Sequence, residues 1–303
     1  MKILQNKIID YSYANFTEIE TLWDVNATYN YEDEARDGHY IYAYAGTNGT
    51  NTTASPSVDF LKLPQNRKWI KIRPSNYYAM LDNETKTQTE VNTTIDIEIQ
   101  VSNYDAISLL DLEATNVIIS LVDNATSTEV YTKTIDMLDT SSIVDFYSYA
   151  FNEIGKKPSA YIDDIPLYTS ATLKIIINNI GSVAKCGRLV CGRTYYIGTT
   201  GYGANLNQES YSKKETDVFG NTTLAHSNSV NLDSYEVSVQ TSSVPNIRRK
   251  FKELDAVAIL FIMDESQNTI LDNLLTFGYY QAFSILIPDS QISTASLQIK
   301  GIL

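Results

Sequence analysis

Histidine and cysteine are almost missing from this chain, with two of each in 303 residues. That scarcity removes the material for the commonest catalytic and metal-binding devices. A Ser–His–Asp or Cys–His arrangement needs one positioned imidazole, and neither His39 nor His226 stands in a motif that marks it as one. There is no HExxH, no Walker glycine loop and no GxSxG elbow. GTTGYG (198–203) has the glycines of a phosphate loop but no basic residue after it at useful spacing. Positive charge is also short: 23 Lys and Arg stand against 36 Asp and Glu, a net of −13. Segments 1–72, 73–198 and 199–303 carry −2, −7 and −4, so none offers the phosphate-neutralising surface that nucleic-acid binding requires. No apolar run approaches the length of a membrane span. The N-terminus, MKILQNKIID, lacks a secretory apolar region, so synthesis without export is expected.

The thiols Cys186 and Cys191 lie in KCGRLVCGR. Residues five apart on a strand point to opposite faces, so pairing would need a turn. Without histidines beside them they do not make a four-ligand zinc site, and they read as reduced structural residues. Carboxylates are plentiful, including Glu32, Asp33, Glu34, Asp37 and the pair Asp163–Asp164. A glycosidase needs two of them converging on a sugar, and calcium needs a ligand spacing that is absent here. No cofactor or metal is expected, and the reading is non-enzymatic.

What the chain does have is apolar and hydroxylated bulk. Apolar residues make up 43% and charged ones only 19%, which excludes a disordered acidic chain. Tyr numbers 22 against 9 Phe and 2 Trp. Tyr, Thr, Ile and Val favour pleated surfaces, while Asn, Ser, Asp and Gly favour the turns between them. The fold class is therefore all-β.

Three segments are expected. In residues 1–72, a helical turn is predicted over 16–24, and aromatics punctuate short strands around the loop GTNGTNTTASPS (46–57). Residues 73–198 give the clearest alternation: Ile95, Ile97, Ile99 and Val101 share one face, Asp96, Glu98 and Gln100 the other. Val117, Ile119 and Leu121 repeat it, as do Leu173, Ile175 and Ile177. Half-apolar strands between turn clusters predict a central antiparallel sandwich. Residues 199–303 read as β-rich, with Tyr235, Val237 and Val239 alternating. One short helix is predicted near 245–254, with Ile247, Phe251 and Leu254 inward.

Two resemblances add function. LWDVNATYNYEDEARDGHYIYAYAGTNGT…WIKI resembles the small chitin-binding carbohydrate modules, matching their pattern at Trp23, Tyr29, Asp33, Tyr40 or Tyr42, Pro56 and Trp69. The resemblance implies a sugar site on Tyr40, Tyr42, Trp23, Tyr29 and Trp69. If Tyr40 and Tyr42 share a strand, their spacing makes a flat platform for one ring. The alternative is that Trp23 and Trp69 form the core of a tiny domain. The loop is longer and richer in Asn and Thr than in those modules.

The rest of the chain resembles a family of tailed-bacteriophage virion proteins. The shared stretches are WIKIRPSNYYAMLDNETKTQTE (69–90), the segment ending KCGRLVCG (185–192), SYSKKETDVFGNTTLAHS (210–227) and the tail from 277 to 303. The resemblance implies a structural tail or baseplate component with a galactose-binding-like or jelly-roll-like sandwich. It would be made in the host bacterial cytoplasm and located in the virion. Its implied partners are other tail proteins, further copies in a homo-oligomer and host surface glycans. A carbohydrate-binding adhesin for host attachment is the alternative, and a glycan-degrading tail enzyme a more distant one.

Overall fold

The computed structural model describes all residues except 8–9, 52, 141–142, 152–154, 202–203, 217, 264–274 and 303. It is all-β, built of antiparallel sheets. The centre is a seven-stranded sheet organised by one 22-residue strand, Ala171–Gly192. Its first half pairs with Asn116–Asp123 on one side and Thr89–Val101 on the other. The register stacks Val117, Ile177 and Ile95 in one row, Ile119, Ile175 and Ile97 in the next, and Leu121, Leu173 and Ile99 in a third. All nine are buried, as their alternation predicts. The reverse face is polar, with Lys174 between Asp96 and Glu98 at 3.3 and 3.7 Å.

The pairing lapses at 179–182, where Gly181 takes a φ of +80° that an L side chain would resist. Beyond it, the second half of the long strand pairs with Ala106–Glu113, which in turn pairs with Ser159–Ile162. Both halves close on one apolar core that runs from Ile95 and Ile175 to Ile107, Leu109 and Leu189.

An eight-stranded sheet holds most of the C-terminal third. Ile259–Ile262, Leu275–Leu286, Ile292–Gly301 and Ser229–Gln240 are successive neighbours in it. Helix Val244–Glu253 covers one face, with Ile247 and Phe251 buried and Arg248, Arg249 and Lys252 outside. Phe251 stacks on Phe283 at 4.0 Å. The first strand of the chain, Lys2–Leu4, lies in this sheet between Ile259–Ile262 and Thr194–Tyr196. Leu4, Leu260, Ile262 and Phe277 meet Ala106, Leu110 and Val190 in a shared apolar cluster that joins the two large sheets.

The segment 16–24 is not the helical turn its composition predicts. It runs without helix, and Leu22 forms an isolated parallel bridge to Arg36. Glu18 beside Arg36 and Glu20 beside Arg73 hold it against the neighbouring sheet, so side-chain pairing overrides local preference. That sheet has three strands: Glu34–Asp37, Tyr40–Tyr44 and Trp69–Pro74.

Candidate functional site

The five aromatics expected to hold a sugar are brought together, three of them as a core and two at its margin. Trp69 is 0% exposed, Tyr42 4% and Tyr29 7%. Trp69 sits edge-on to Tyr29 at 4.9 Å and to Tyr44 at 5.1 Å. Tyr29 is tied down through its hydroxyl, which accepts from the Asp24 N–H and donates to the Asp24 carbonyl. Trp23 and Tyr40 are half-buried at the margin of the cluster.

The tyrosine platform does not form. A register shift between Ile41 and Tyr42 breaks the two-residue period, so Ile41 and Tyr42 are buried in succession. Tyr40 lies under the Lys71 ammonium, 3.4 Å from the ring centroid. With so small a sheet, these rings supply most of the buried apolar bulk of their cluster, and packing them inward helps the module fold.

A buried carboxylate braces the module. Asp59 accepts the backbone N–H groups of Lys68 and Trp69 at 2.5 and 3.0 Å, and the Lys62 ammonium at 2.6 Å. Burial pushes its pKa up, but these three donors outweigh that and hold it below the ordinary Asp value.

The other titratable candidates are dispersed. His39 stacks on Tyr78 at 4.3 Å, and His226 is exposed. Asp163 meets Lys2, whereas Asp164 accepts from Tyr131 and Lys133. Glu34 is engaged by Arg73, and Asp37 by the Ser57 N–H. Among the described residues no group of three or more His, Cys, Asp or Glu side chains is placed to hold a metal. No helix among them is long and apolar enough to cross a membrane. Cys186 and Cys191 are free, and burial raises both thiols far above their usual pKa.

Between the two large sheets, Arg188 is buried with its guanidinium 5.0 Å from the Phe277 ring centroid and Nη2 donating to Asn83. Nearby Asp82 accepts from the Glu84 N–H and the Thr87 hydroxyl, and burial raises its pKa to about 6.

The exposed apolar groups stand elsewhere. Strand Asn205–Ser210 leaves the C-terminal sheet along Ser229–Gln240 and leads into a hairpin, Lys213–Thr216 against Thr222–Ala225. All eight residues of that hairpin are exposed, and its tip carries Val218 at 93% and Phe219 at 87% exposure. The arm is anchored at its root by Lys300, whose ammonium meets Glu209 at 2.6 Å.

The second protrusion is helix Phe146–Phe151, sequence FYSYAF. Phe146, Tyr147, Tyr149 and Phe151 are 68–85% exposed. Ser148 turns inward: its hydroxyl accepts the N–H groups of Val144 and Asp145, while Asp145 accepts the Ser148 N–H. This cap fixes a short helix whose aromatic side chains face water. The arm lies within the 210–227 stretch quoted for the virion resemblance, but its exposed tip was not foreseen, and the aromatic helix was not singled out from sequence. An apolar run with no partner face carries no periodic signal, although FYSYAF is conspicuous for its rings.

Comparison with protein-family models, curated proteins and solved structures finds no match for this chain.

Proposed function

We propose that this chain is a non-enzymatic structural protein of a tailed-bacteriophage virion, placed in the tail or baseplate region, where it docks onto neighbouring subunits. The observation that carries this reading is the arm hairpin 213–225. A two-stranded hairpin by itself is marginal in water, and all eight strand residues of this one are exposed. Its tip leaves Val218 and Phe219 largely exposed, apolar area that a neighbouring molecule would cover. An arm of this kind suits a building block that reaches across to its neighbour. The motif resemblance along residues 69–303 supplies the virion setting.

Direct glycan binding has less support. Three of the five aromatics on which it rests are core residues, leaving Trp23 and Tyr40 partly accessible.

The test replaces residues 213–225 by a short Gly-Ser turn and measures incorporation into purified particles by quantitative mass spectrometry. The truncated chain is expected to fold normally and to be lost from particles. Incorporation at the wild-type level would remove the arm from the account, and a wild-type chain absent from particles would overturn the virion reading.

A further inference from the structure

Residues 16–21 run without helix between the central sheet and the small module, and their exposure alternates against the usual sense. Glu18 and Glu20 are turned inward, with 19% and 13% of their side chains exposed, whereas Ile19 between them is 82% exposed. A segment placed for packing alone would bury the isoleucine and leave the carboxylates in water. Both ends of this strap are anchored. Phe16 packs against Tyr77 at 5.7 Å on the margin of the central core, and Trp23 stands at the margin of the small module's core. Along its length the Trp23 N–H donates to the Arg36 carbonyl at 2.9 Å, and the Arg36 N–H donates to the Thr21 carbonyl at 2.8 Å. These two bonds cover the outer edge of strand Glu34–Asp37, whose other edge pairs with Tyr40–Tyr44.

The two inward carboxyl groups lie within hydrogen-bond reach of each other. Glu20 is well supplied with donors: its carboxylate accepts the Asn76 N–H at 3.1 Å and the Ile19 N–H at 3.2 Å. Glu18 accepts the Ser75 hydroxyl at 2.8 Å on Oε1, but its Oε2 is sealed from water and has no hydrogen-bond donor among the described residues. The charged groups facing the pair are Arg36, 3.8 Å from Glu18, Arg73, 3.8 Å from Glu20, and Glu34, which takes Arg73 at 3.1 Å. Tyr77 lies near Glu18, and the His39 carbonyl accepts the Ser75 N–H. Three carboxyl groups thus meet two guanidiniums. Ionised carboxylates offer each other only acceptors, so the contact between Glu18 and Glu20 needs a proton. Burial and the neighbouring Glu20 push the Glu18 pKa up, while at Glu20 the backbone donors outweigh burial and hold the pKa down.

We propose that Glu18 and Glu20 share one proton and form a pH-operated clasp, which holds the strap on the small module and loosens it when the proton leaves. Protonated on Oε2, Glu18 donates to the Glu20 carboxylate, and its buried oxygen is no longer without a partner. Loss of the proton leaves three negative charges against two guanidiniums, with two of the three in contact. Glu18 is raised, so its contribution is complete below its ordinary value of 4.5 and is lost as pH rises through the folded value. Glu20 is lowered, so its contribution is present above 4.5 and is lost only in stronger acid. The strap is therefore held best in mild acid and slackens toward neutral pH, baring the backbone edge of Glu34–Asp37.

Hydrogen exchange of the full chain, read by mass spectrometry at about pH 5 and about pH 8, tests it, with exposure times corrected for the intrinsic pH dependence of exchange. In wild type, protection of peptides covering 16–24 and 34–37 is expected to fall roughly threefold or more between the two conditions. Protection of the central strand Ala171–Gly192 should stay constant. Glu18→Gln and Glu20→Gln each replace the shared proton by an amide donor, so in either variant the strap should be equally protected at both pH values. The amide sits on opposite sides of the pair in the two variants, so one decides the matter if the other does not fold, and protection of Ala171–Gly192 reports folding. Wild-type protection that does not change between the two conditions, or a folded variant that keeps the wild-type pH dependence, overturns the proposal.

Discussion

Ile97 and Ile175 lie directly opposite each other on adjacent strands of the central sheet, both fully buried, with Ile119 completing the row on the far side. This row is at the heart of the largest core, and it has no room for a charge. Ile97→Asp should cost more than about 4 kcal/mol and abolish cooperative folding, whereas Ile97→Val should cost only about 1 kcal/mol. Urea denaturation followed by circular dichroism measures both. A stable Ile97→Asp protein would contradict the assigned register.

Trp69 is expected to matter for stability and not for ligand contact. Removing its ring leaves Tyr29 and Tyr44 facing a cavity, and Trp69→Ala should destabilise the small module by about 3–5 kcal/mol. Limited proteolysis should then cut within residues 20–74 first. Tyr40→Ala, at the half-buried margin, should leave the cleavage pattern near wild type. Equal effects of the two substitutions would contradict the core assignment.

Two buried carboxylates should shape the pH dependence in opposite senses. Asp59 is held below its ordinary pKa, so its contribution is complete above about pH 4 and is lost as pH falls through the folded value. Asp82 is raised from 3.8 to about 6, so the folded state binds the extra proton between those values. Its contribution is therefore most favourable below about pH 4 and declines as pH rises through 6. Asp82→Asn should raise stability at pH 7 by up to about 3 kcal/mol and flatten the profile between about pH 4 and 6. Thermal unfolding across that range checks it. A variant less stable than wild type at pH 7 would show that the Asp82 charge is needed beside Arg188.

The thiols give a simple count. Cys186 and Cys191 are buried, with burial disfavouring the thiolate at both. Ellman's reagent should titrate neither in the native protein and both after denaturation without reductant. A fast-reacting native thiol, or a missing pair after denaturation, would contradict their assignment as free core residues.

The alternating strands were legible because one face of each is wet: Ile95, Ile97 and Ile99 are inward, as are Tyr235, Val237 and Val239. The helix Val244–Glu253 was legible for the same reason at its own period. Lys2–Leu4 was not, because three residues carry no period and its pairing with Ile259–Ile262 spans nearly the whole chain. Tyr40 and Tyr42 misled because the bulge beside Ile41 depends on how two strands meet, which their sequence does not encode locally. The aromatics of the small module were recognised as a group, yet a ring that stacks on sugar and a ring that fills a core are the same residue. Only their burial separates the two. The helix at Phe146 was missed, and the exposure of Val218 within the 210–227 stretch was not foreseen, because side chains that face water leave no pattern to read.

A density map of the purified particle, at a resolution that traces strands, decides whether this chain builds a virion tail as proposed. Symmetry-related copies of the chain are expected in the tail or baseplate, with the 213–225 arm of each buried against a neighbouring subunit. A particle that lacks the chain, or that carries it with every arm exposed to solvent, would contradict the account.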